Sequence, residues 1–270
     1  MKRINSRIVV IAAAGLLALS GGCSTNVSAA YWMPSFENQT KSGAGGDTVD
    51  VKADFGVEAD EGVLLFELAG STGAHRFTAN YWKIEGAGSK VMTADRDFAD
   101  HTYAIGDQTR TSLDFTCIGA LWEPALVNRP TFAFRLLIGA NLINFNMAAE
   151  NITNPAPPGD GETHVPADDS TFADIGYMPV PVAGASIDFP INRWLYFSAR
   201  GQYFDTELIG GGLDFEASFT SAEAALLFGK PGNHVQGFAG YRYLRIKYDA
   251  DDDAGDSTLD GVIAGAAFIF

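Results

Sequence analysis

The sequence predicts an all-β protein, a single closed antiparallel up-and-down β-barrel that crosses a membrane. Apolar and polar residues alternate along most of residues 49–270, and 30 Gly, 19 Phe, 9 Tyr and 4 Trp favour strands over helices. The chain ends on an apolar strand, residues 259–270, with Val262, Ala264, Ala266, Phe268 and Phe270 on one face. A closed barrel with that face toward lipid leaves no open apolar edge.

Residues 1–29 are predicted to be an export signal. Basic residues occupy positions 2, 3 and 7, and an apolar core too short to span a membrane follows at 8–19. Val27-Ser28-Ala29 favours cleavage before Ala30. The alternative is that Ser20-Gly21-Gly22-Cys23 resembles a lipoprotein box, in which case Cys23 would be lipidated. Residues 30–48 are then a periplasmic leader, and 49–270 form the barrel.

The predicted strands follow the alternation in chain order. In 49–58 the apolar residues Val49, Val51 and Val57 alternate with Asp50 and Lys52, and later segments repeat this period between Gly- or Pro-containing turns. The segments are 49–58, 63–69, 75–85, 90–98, 100–108, 112–122, 132–142, 175–191, 195–203, 213–228, 235–248 and 259–270. This gives twelve strands, or ten if the weak pattern at 90–108 does not form two.

Connections between these strands alternate in length. Short turns are expected near residues 124–130, 192 and 230, and longer loops at 150–174, 205–212 and 249–257. The loop at 150–174 is rich in proline and has no regular period. Transmembrane barrels have short periplasmic turns and longer outer loops. Both termini are therefore expected on the periplasmic side.

Alternation alone does not distinguish a lipid-facing barrel from a soluble sandwich. Three features favour the barrel. Aromatic residues such as Trp122 and Trp194 lie near strand ends, several strands exceed ten residues, and the chain carries an export signal. The balance of 18 Lys and Arg against 33 Asp and Glu argues against a nucleic-acid partner. Cys117 shares a face with Leu113 and Phe115 and is expected to act as a small apolar residue.

Phe270 and Phe268, preceded by small apolar residues, resemble the C-terminal assembly signature of Gram-negative outer-membrane β-barrel proteins, among them small porin-like or OmpW-like barrels. The resemblance covers residues 49–270 as architecture. It implies the Gram-negative cell outer membrane as location, insertion by the barrel-assembly machinery, and contact with outer-membrane lipid and lipopolysaccharide. It implies no substrate.

The polar residues opposite the predicted lipid face are the lumen-facing candidates. They are Asp50, Lys52, Asp54, Glu67, Arg76, Asp114, Arg135, Arg200, Asp214, Glu216 and Arg242. They would either line a water-filled path for small solutes or pair with one another and close the lumen. Eight strands give a filled interior and sixteen an open one, so strand number leaves both interpretations open. The function is therefore predicted to be non-enzymatic, either a narrow pore or a structural and surface-exposed protein.

Two alternatives concern other functions. A lipid-modifying enzyme of the outer membrane would pair His with Ser two residues on, but Phe77, Tyr103, Pro166 and Gln236 follow the four histidines at that spacing. Asp100-His101 has a faint similarity to the acid–His pair of outer-membrane proteases. A lipid-anchored soluble β domain would use Cys23. The acidic loop 249–257 lacks the Gly and Glu of a calcium loop, and no cofactor motif is present.

Overall fold

A computed structural model describes residues 24–43, 46–59, 62–98, 101–153, 170–209, 215–229, 234–250 and 252–270. The strands are β1 Ser24–Lys41, β2 Val49–Asp50, β3 Val57–Ala59, β4 Val63–Thr72, β5 His75–Val91, β6 Arg96–Phe98, β7 His101–Tyr103, β8 Gln108–Arg129, β9 Phe132–Asn151, β10 Ser170–Pro190, β11 Leu195–Asp205, β12 Phe215–Phe228, β13 Val235–Ala250 and β14 Asp253–Ile269. One 3₁₀ turn, Thr206–Ile209, follows β11. Among these residues no helix is long and apolar enough to span a bilayer.

Ten of these strands form a closed antiparallel barrel, which confirms the predicted fold class. Around the wall the order is β1, β4, β5, β8, β9, β10, β11, β12, β13 and β14, and β14 pairs again with β1. At the seam Phe270 donates to the carbonyl of Thr25 at 2.8 Å, and Thr25 donates back at 3.2 Å. β2 and β3 are short additions to the same sheet, and β6 and β7 form a separate hairpin.

The preferred count of twelve wall strands is corrected to the alternative of ten. In their described residues, three predicted segments do not cross the wall. Segment 49–58 forms only the short strands β2 and the start of β3, and the described parts of 90–98 and 100–108 lie mostly in the connection between β5, which ends at Val91, and β8, which begins at Gln108. The wall instead includes β1, which covers residues expected in the export signal and the leader. The first residues of β1 pair with both β14 and β4. The start of the barrel expected at residue 49 therefore lies 25 residues too late in the described chain.

Both described ends of the wall, Ser24 and Phe270, lie at the same end of the barrel as the short turns. The β4–β5 turn contains Gly73 at φ +59°, and Asn192 in the β10–β11 turn accepts hydrogen bonds from the backbones of Trp194 and Leu195. This end corresponds to the one that the sequence predicts to be periplasmic, and on that basis we call it the periplasmic end. β9 and β10 continue into the predicted 150–174 loop, and its residues 154–169 lie outside the described chain.

The outward face of each long strand is apolar only in its periplasmic half. On β9 the outward residues Phe132, Ile138 and Leu142 are exposed, and Asn144 and Asn146 continue the same face above them. On β14 the exposed residues Phe268 and Val262 are followed by Asp260. We call this apolar band the lipid belt. Trp122 and Trp194 are exposed near its periplasmic edge, as interfacial aromatics are in membrane barrels.

The inward face shows the opposite order. Charged side chains occupy the lumen at the level of the lipid belt, and apolar side chains fill the half beyond it. The apolar part, called the upper core, includes Trp32, Trp82, Ile84, Leu113, Phe115, Ile143, Phe145, Met147, Phe219, Leu244, Ile246 and Leu259, all buried. The apolar residues thus change sides along the strand, which is the arrangement that lipid around the lower half and water around the upper half would favour.

Residues 47–58 and the β6–β7 hairpin close the outer end of the upper core; we call them the mouth cap. Phe55 is fully buried, with its ring centroid 5.5 Å from that of Phe98 and 5.6 Å from that of Tyr103. Asp50 accepts hydrogen bonds from the backbone of the next turn, at 3.0 Å from Lys52. The alternation at 49–58 thus comes from a capped turn whose apolar side enters the barrel.

Candidate functional site: the lumen of the barrel

The structure separates the predicted lumen residues into three groups. Arg76, Arg135, Arg200, Arg242 and Glu67 point into the lumen. Three others belong to the mouth cap: Asp50 holds a turn, Lys52 is exposed, and Asp54 binds Arg96 at 3.0 Å.

Two candidates lie on the outward face, contrary to expectation. Asp114 binds Lys83 at 3.1 Å, and Glu216 is exposed. Both stand above the lipid belt, where the outward face meets water. Asp214 lies outside the described residues.

Six inward side chains form one ion-pair network across the lumen, called the lumen charge cluster: Glu67, Arg76, Glu123, Arg200, Glu223 and Arg242. Arg200 is its centre, with Nη1 2.6 Å from Glu67 and Nη2 3.2 Å from Glu223. Arg76 lies 3.3 Å from Glu67 and 4.0 Å from Glu123, and Thr78 donates to Glu123 at 2.6 Å. The three arginines and three glutamates balance, so the cluster needs no further counter-ion.

Strands that are distant in sequence bring this cluster together. Glu67 is on β4 and Arg200 on β11, 133 residues apart, and their side chains meet across the barrel. Glu123 and Glu223 were not among the sequence candidates. Glu223 lies between Ala222 and Ala224 on β12, opposite Arg242 in the β12–β13 register. An acidic residue facing an Arg on the next strand is the signal that could have identified it.

Solvent reaches the cluster from the periplasmic end and stops within it. Asp188, which pairs with Arg135 nearest the turns, has a side chain 33% exposed; Arg200 is 20% exposed and Glu123 4%. A cavity of about 130 Å³ occupies this region. The Ser186 hydroxyl lines it and has no hydrogen-bond partner among the described residues. The lower lumen is therefore a small polar vestibule.

Aromatic side chains lie directly above the vestibule. The guanidinium of Arg242 is 5.2 Å from the ring centroid of Trp32 and 6.0 Å from that of Trp82. Trp82 packs edge-on against Phe115 at 5.3 Å, and Phe115 against Phe145 at 6.1 Å. A cavity of only about 10 Å³ lies next to these rings. The upper core therefore fills the lumen above the cluster.

The histidines that an enzyme of this class would use do not lie in the lumen charge cluster, as far as their side chains are described. His75 stacks on Trp122 and accepts a hydrogen bond from its indole at 3.3 Å, and His234 contacts the carbonyl of Ile269 at 3.1 Å. Both are at periplasmic turns. His164, Asp100 and the side chain of His101 lie outside the described residues. The described part of the chain contains no group of three His, Cys, Asp or Glu placed to hold a metal.

The other predicted site residues belong to the ends of the chain. Phe268 and Phe270 are both exposed on the lipid belt. Cys23 lies outside the described residues. Cys117 is buried and faces the upper lumen with Leu113 and Phe115.

Comparison with solved structures finds barrels of low sequence identity. The outer-membrane protease OmpT from Escherichia coli is 13% identical, over 92% of this chain and 97% of that one, with a TM-score of 0.48. The translocator domain of the autotransporter NalP from Neisseria meningitidis is 13% identical, over 97% and 95%, with a TM-score of 0.41. The transport unit of the autotransporter AIDA-I from Escherichia coli is 10% identical, over 93% and 90%, with a TM-score of 0.42.

No family model and no curated protein matches the chain. Likeness of this degree to solved structures carries no information about activity. The closed ten-stranded wall and the apolar band around it have the architecture of a transmembrane β-barrel.

Proposed function

We propose that this chain is a non-enzymatic, non-conducting barrel, a structural and surface-exposed protein of the outer membrane. The filled lumen is the observation that carries the proposal. The lumen charge cluster crosses the barrel at the level of the lipid belt, and the upper core fills the space above it. A solute would have to break Arg–Glu pairs and then displace packed aromatic rings.

The upper half of the barrel supports the surface role. Beyond the lipid belt its strands continue with a polar outward face and a dry interior, as a soluble barrel would. The packed interior gives a rigid base to the segments at the outer end. Lipopolysaccharide and outer-membrane lipid are the proposed surroundings. Phe268 and Phe270 are the proposed recognition signal for the barrel-assembly machinery.

A narrow pore for small solutes is the competing function, and the polar vestibule favours it. Conductance of refolded protein in a planar lipid bilayer separates the two. We expect no channel events from the native chain, because two layers block the lumen. The positive control removes both layers in the variant Arg200→Ala, Trp82→Ala, Phe115→Ala, which we expect to conduct. Stable unitary conductance from the native chain would show that the closed-barrel proposal is wrong.

A further inference from the structure

The vestibule presents more acidic than basic groups to a solute that enters from the periplasmic end. Its described lining contains four carboxylates and two guanidinium groups: Glu67, Glu123, Asp188 and Glu223, with Arg76 and Arg200. The two other arginines that pair with these carboxylates, Arg135 and Arg242, are not among the described residues that line it. The surface that the solute meets is therefore rich in hydrogen-bond acceptors.

Three oxygen-bearing side chains lie together on one patch of this lining, on β10 and β11. Asp188 and Ser198 are directly opposite each other in the β10–β11 register, and Ser186 lies two residues before Asp188 on the same face of β10. All three line the vestibule; we call them the oxygen triad. Because opposite side chains have Cβ atoms about 5 Å apart, the three can contact one small group.

Two members of the oxygen triad have unused hydrogen-bonding capacity. Ser186 is only 7% exposed, and its hydroxyl has no hydrogen-bond partner in the described chain. Arg135 binds Oδ2 of Asp188, whereas no described group donates a hydrogen bond to Oδ1. Since leaving buried polar groups without partners is unfavourable, the triad favours a ligand that donates several hydrogen bonds.

The rest of the vestibule adds room and apolar surface beside the oxygen triad. Its volume is about 130 Å³. Since a protein cavity of about 150 Å³ holds benzene, a solute of about five or six non-hydrogen atoms fits. Leu227, Phe238 and Ile263 line the neighbouring wall on β12 to β14. The site thus combines acceptors on one part of the wall with apolar side chains on the next.

We propose that the vestibule binds a small primary alkylammonium ion that enters from the periplasmic end. An ammonium group has three N–H donors, which match Oδ1 of Asp188 and the hydroxyls of Ser186 and Ser198. The excess of carboxylates in the lining favours its positive charge. Its short alkyl chain lies against Leu227 and Phe238 and removes apolar surface from water.

Binding in the vestibule goes beyond the proposed structural role, and the two are measured separately. The oxygen triad lines the vestibule whether or not the upper core blocks the lumen above it. Conductance by the native chain would therefore overturn the closed-barrel proposal and leave this one standing. Failure to bind would overturn only this one.

The first test titrates n-butylammonium into the full refolded barrel in an uncharged maltoside detergent, followed by amide NMR shifts. We expect saturable shifts at Ser186, Asp188 and Ser198. The neutral analogue 1-butanol and the anion butyrate should bind at least tenfold more weakly, because neither supplies three donors and a positive charge. No saturation with butylammonium, equal affinity for either analogue, or the same saturable shifts with potassium chloride alone would each overturn the proposal.

The second test changes the oxygen triad. We expect Asp188→Asn to weaken butylammonium binding at least tenfold and Ser186→Ala at least threefold. Ser186→Ala removes a single hydroxyl that has no partner, so it keeps the test decisive if the loss of the Asp188 charge prevents folding. The matched control is Ser221→Ala, because Ser221 is equally buried but is not among the described residues that line the vestibule. Equal affinities in Ser186→Ala and Ser221→Ala would overturn the proposal.

Discussion

Arg200 forms ion pairs with two glutamates, and each of these pairs is shorter than the one that the same glutamate forms with another arginine. Its two Nη atoms lie 2.6 Å from Glu67 and 3.2 Å from Glu223, whereas Arg242 is 3.7 Å from Glu223. The side chain is largely enclosed by the barrel. Its loss would leave two partly buried carboxylates competing for the remaining arginines.

We predict that Arg200→Met lowers the free energy of unfolding by about 3–5 kcal/mol, the usual cost of removing one partner of a buried pair. The measurement is reversible urea unfolding of the barrel in lipid vesicles, followed by tryptophan fluorescence. Arg110→Met is the control, because the 3.7 Å pair of Arg110 with Glu150 is exposed and should contribute less than about 1 kcal/mol. Equal losses in the two variants would contradict a structural role for the cluster.

Individual residues also show where sequence reasoning stops. Leu113 and Phe115 alternate with Asp114 in the way Phe132 and Phe134 alternate with Arg135, yet the two apolar sets face opposite directions. Alternation reports that the two faces of a strand differ, but the environment decides which face is inside. Because that environment changes from lipid to water along one strand, Asp114 and Glu216 could not be placed from the pattern.

At the scale of the strand, β9 contains both environments on one continuous outward face. Ala140 lies in the lipid belt between Ile138 and Leu142, and Ala148 lies beyond Asn144 and Asn146. The two alanines differ mainly in the medium they meet.

We therefore predict that Ala140→Arg destabilises the barrel by about 2–4 kcal/mol, since a charge must enter hydrocarbon, and that Ala148→Arg costs less than about 1 kcal/mol. Urea unfolding in the same vesicles gives both values. Similar costs at the two positions would mean that the lipid belt extends further up the strand than its polar residues indicate.

β1 determines where the export signal can end. Cleavage before Ala30 would remove Ser24–Ala29, the residues that pair with Ile269–Ala266 of β14 and with Ser71–Phe66 of β4. The lipid-level part of one wall strand would be lost, and its neighbours would have unpaired backbone in the bilayer.

We predict that the mature chain begins at or before Ser24, which mass spectrometry of the purified protein will show. Cleavage between Gly22 and Cys23, which would leave an acylated Cys23 as the first residue, is one processing route that meets this requirement. A chain starting at Ser24 should refold into vesicles, and one starting at Ala30 should not. A native N-terminus at Ala30 would contradict the pairing of β1 in the membrane.

At the scale of the molecule, the fold class could be predicted, because a repeated alternation of apolar and polar residues together with an apolar last strand is enough to indicate a closed barrel. The strand count was not. Val49, Phe55 and Val57 alternate as strand residues do, but they are buried in a capped turn. Ser24–Lys41 was hidden because its first residues also satisfy the pattern of a signal cleavage site. The lumen charge cluster was predicted only in part. Its arginines were among the sequence candidates, whereas Glu123 and Glu223 could be identified only once the pairing register of the strands was known.

The lipid belt on β14 extends from Phe270 to Val262, and Asp260 ends it. This height suits a thin hydrocarbon layer, because a strand crosses with about 9–11 residues. Longer acyl chains would bury Asp260 and its neighbour Ser35, so hydrophobic mismatch should restrict this protein to membranes with a thin hydrocarbon layer.

Refolding yield, followed by gel mobility, should be highest in short-chain phosphatidylcholine and fall steadily as the acyl chains are lengthened in two-carbon steps. A yield independent of chain length would mean that the barrel adjusts its tilt instead.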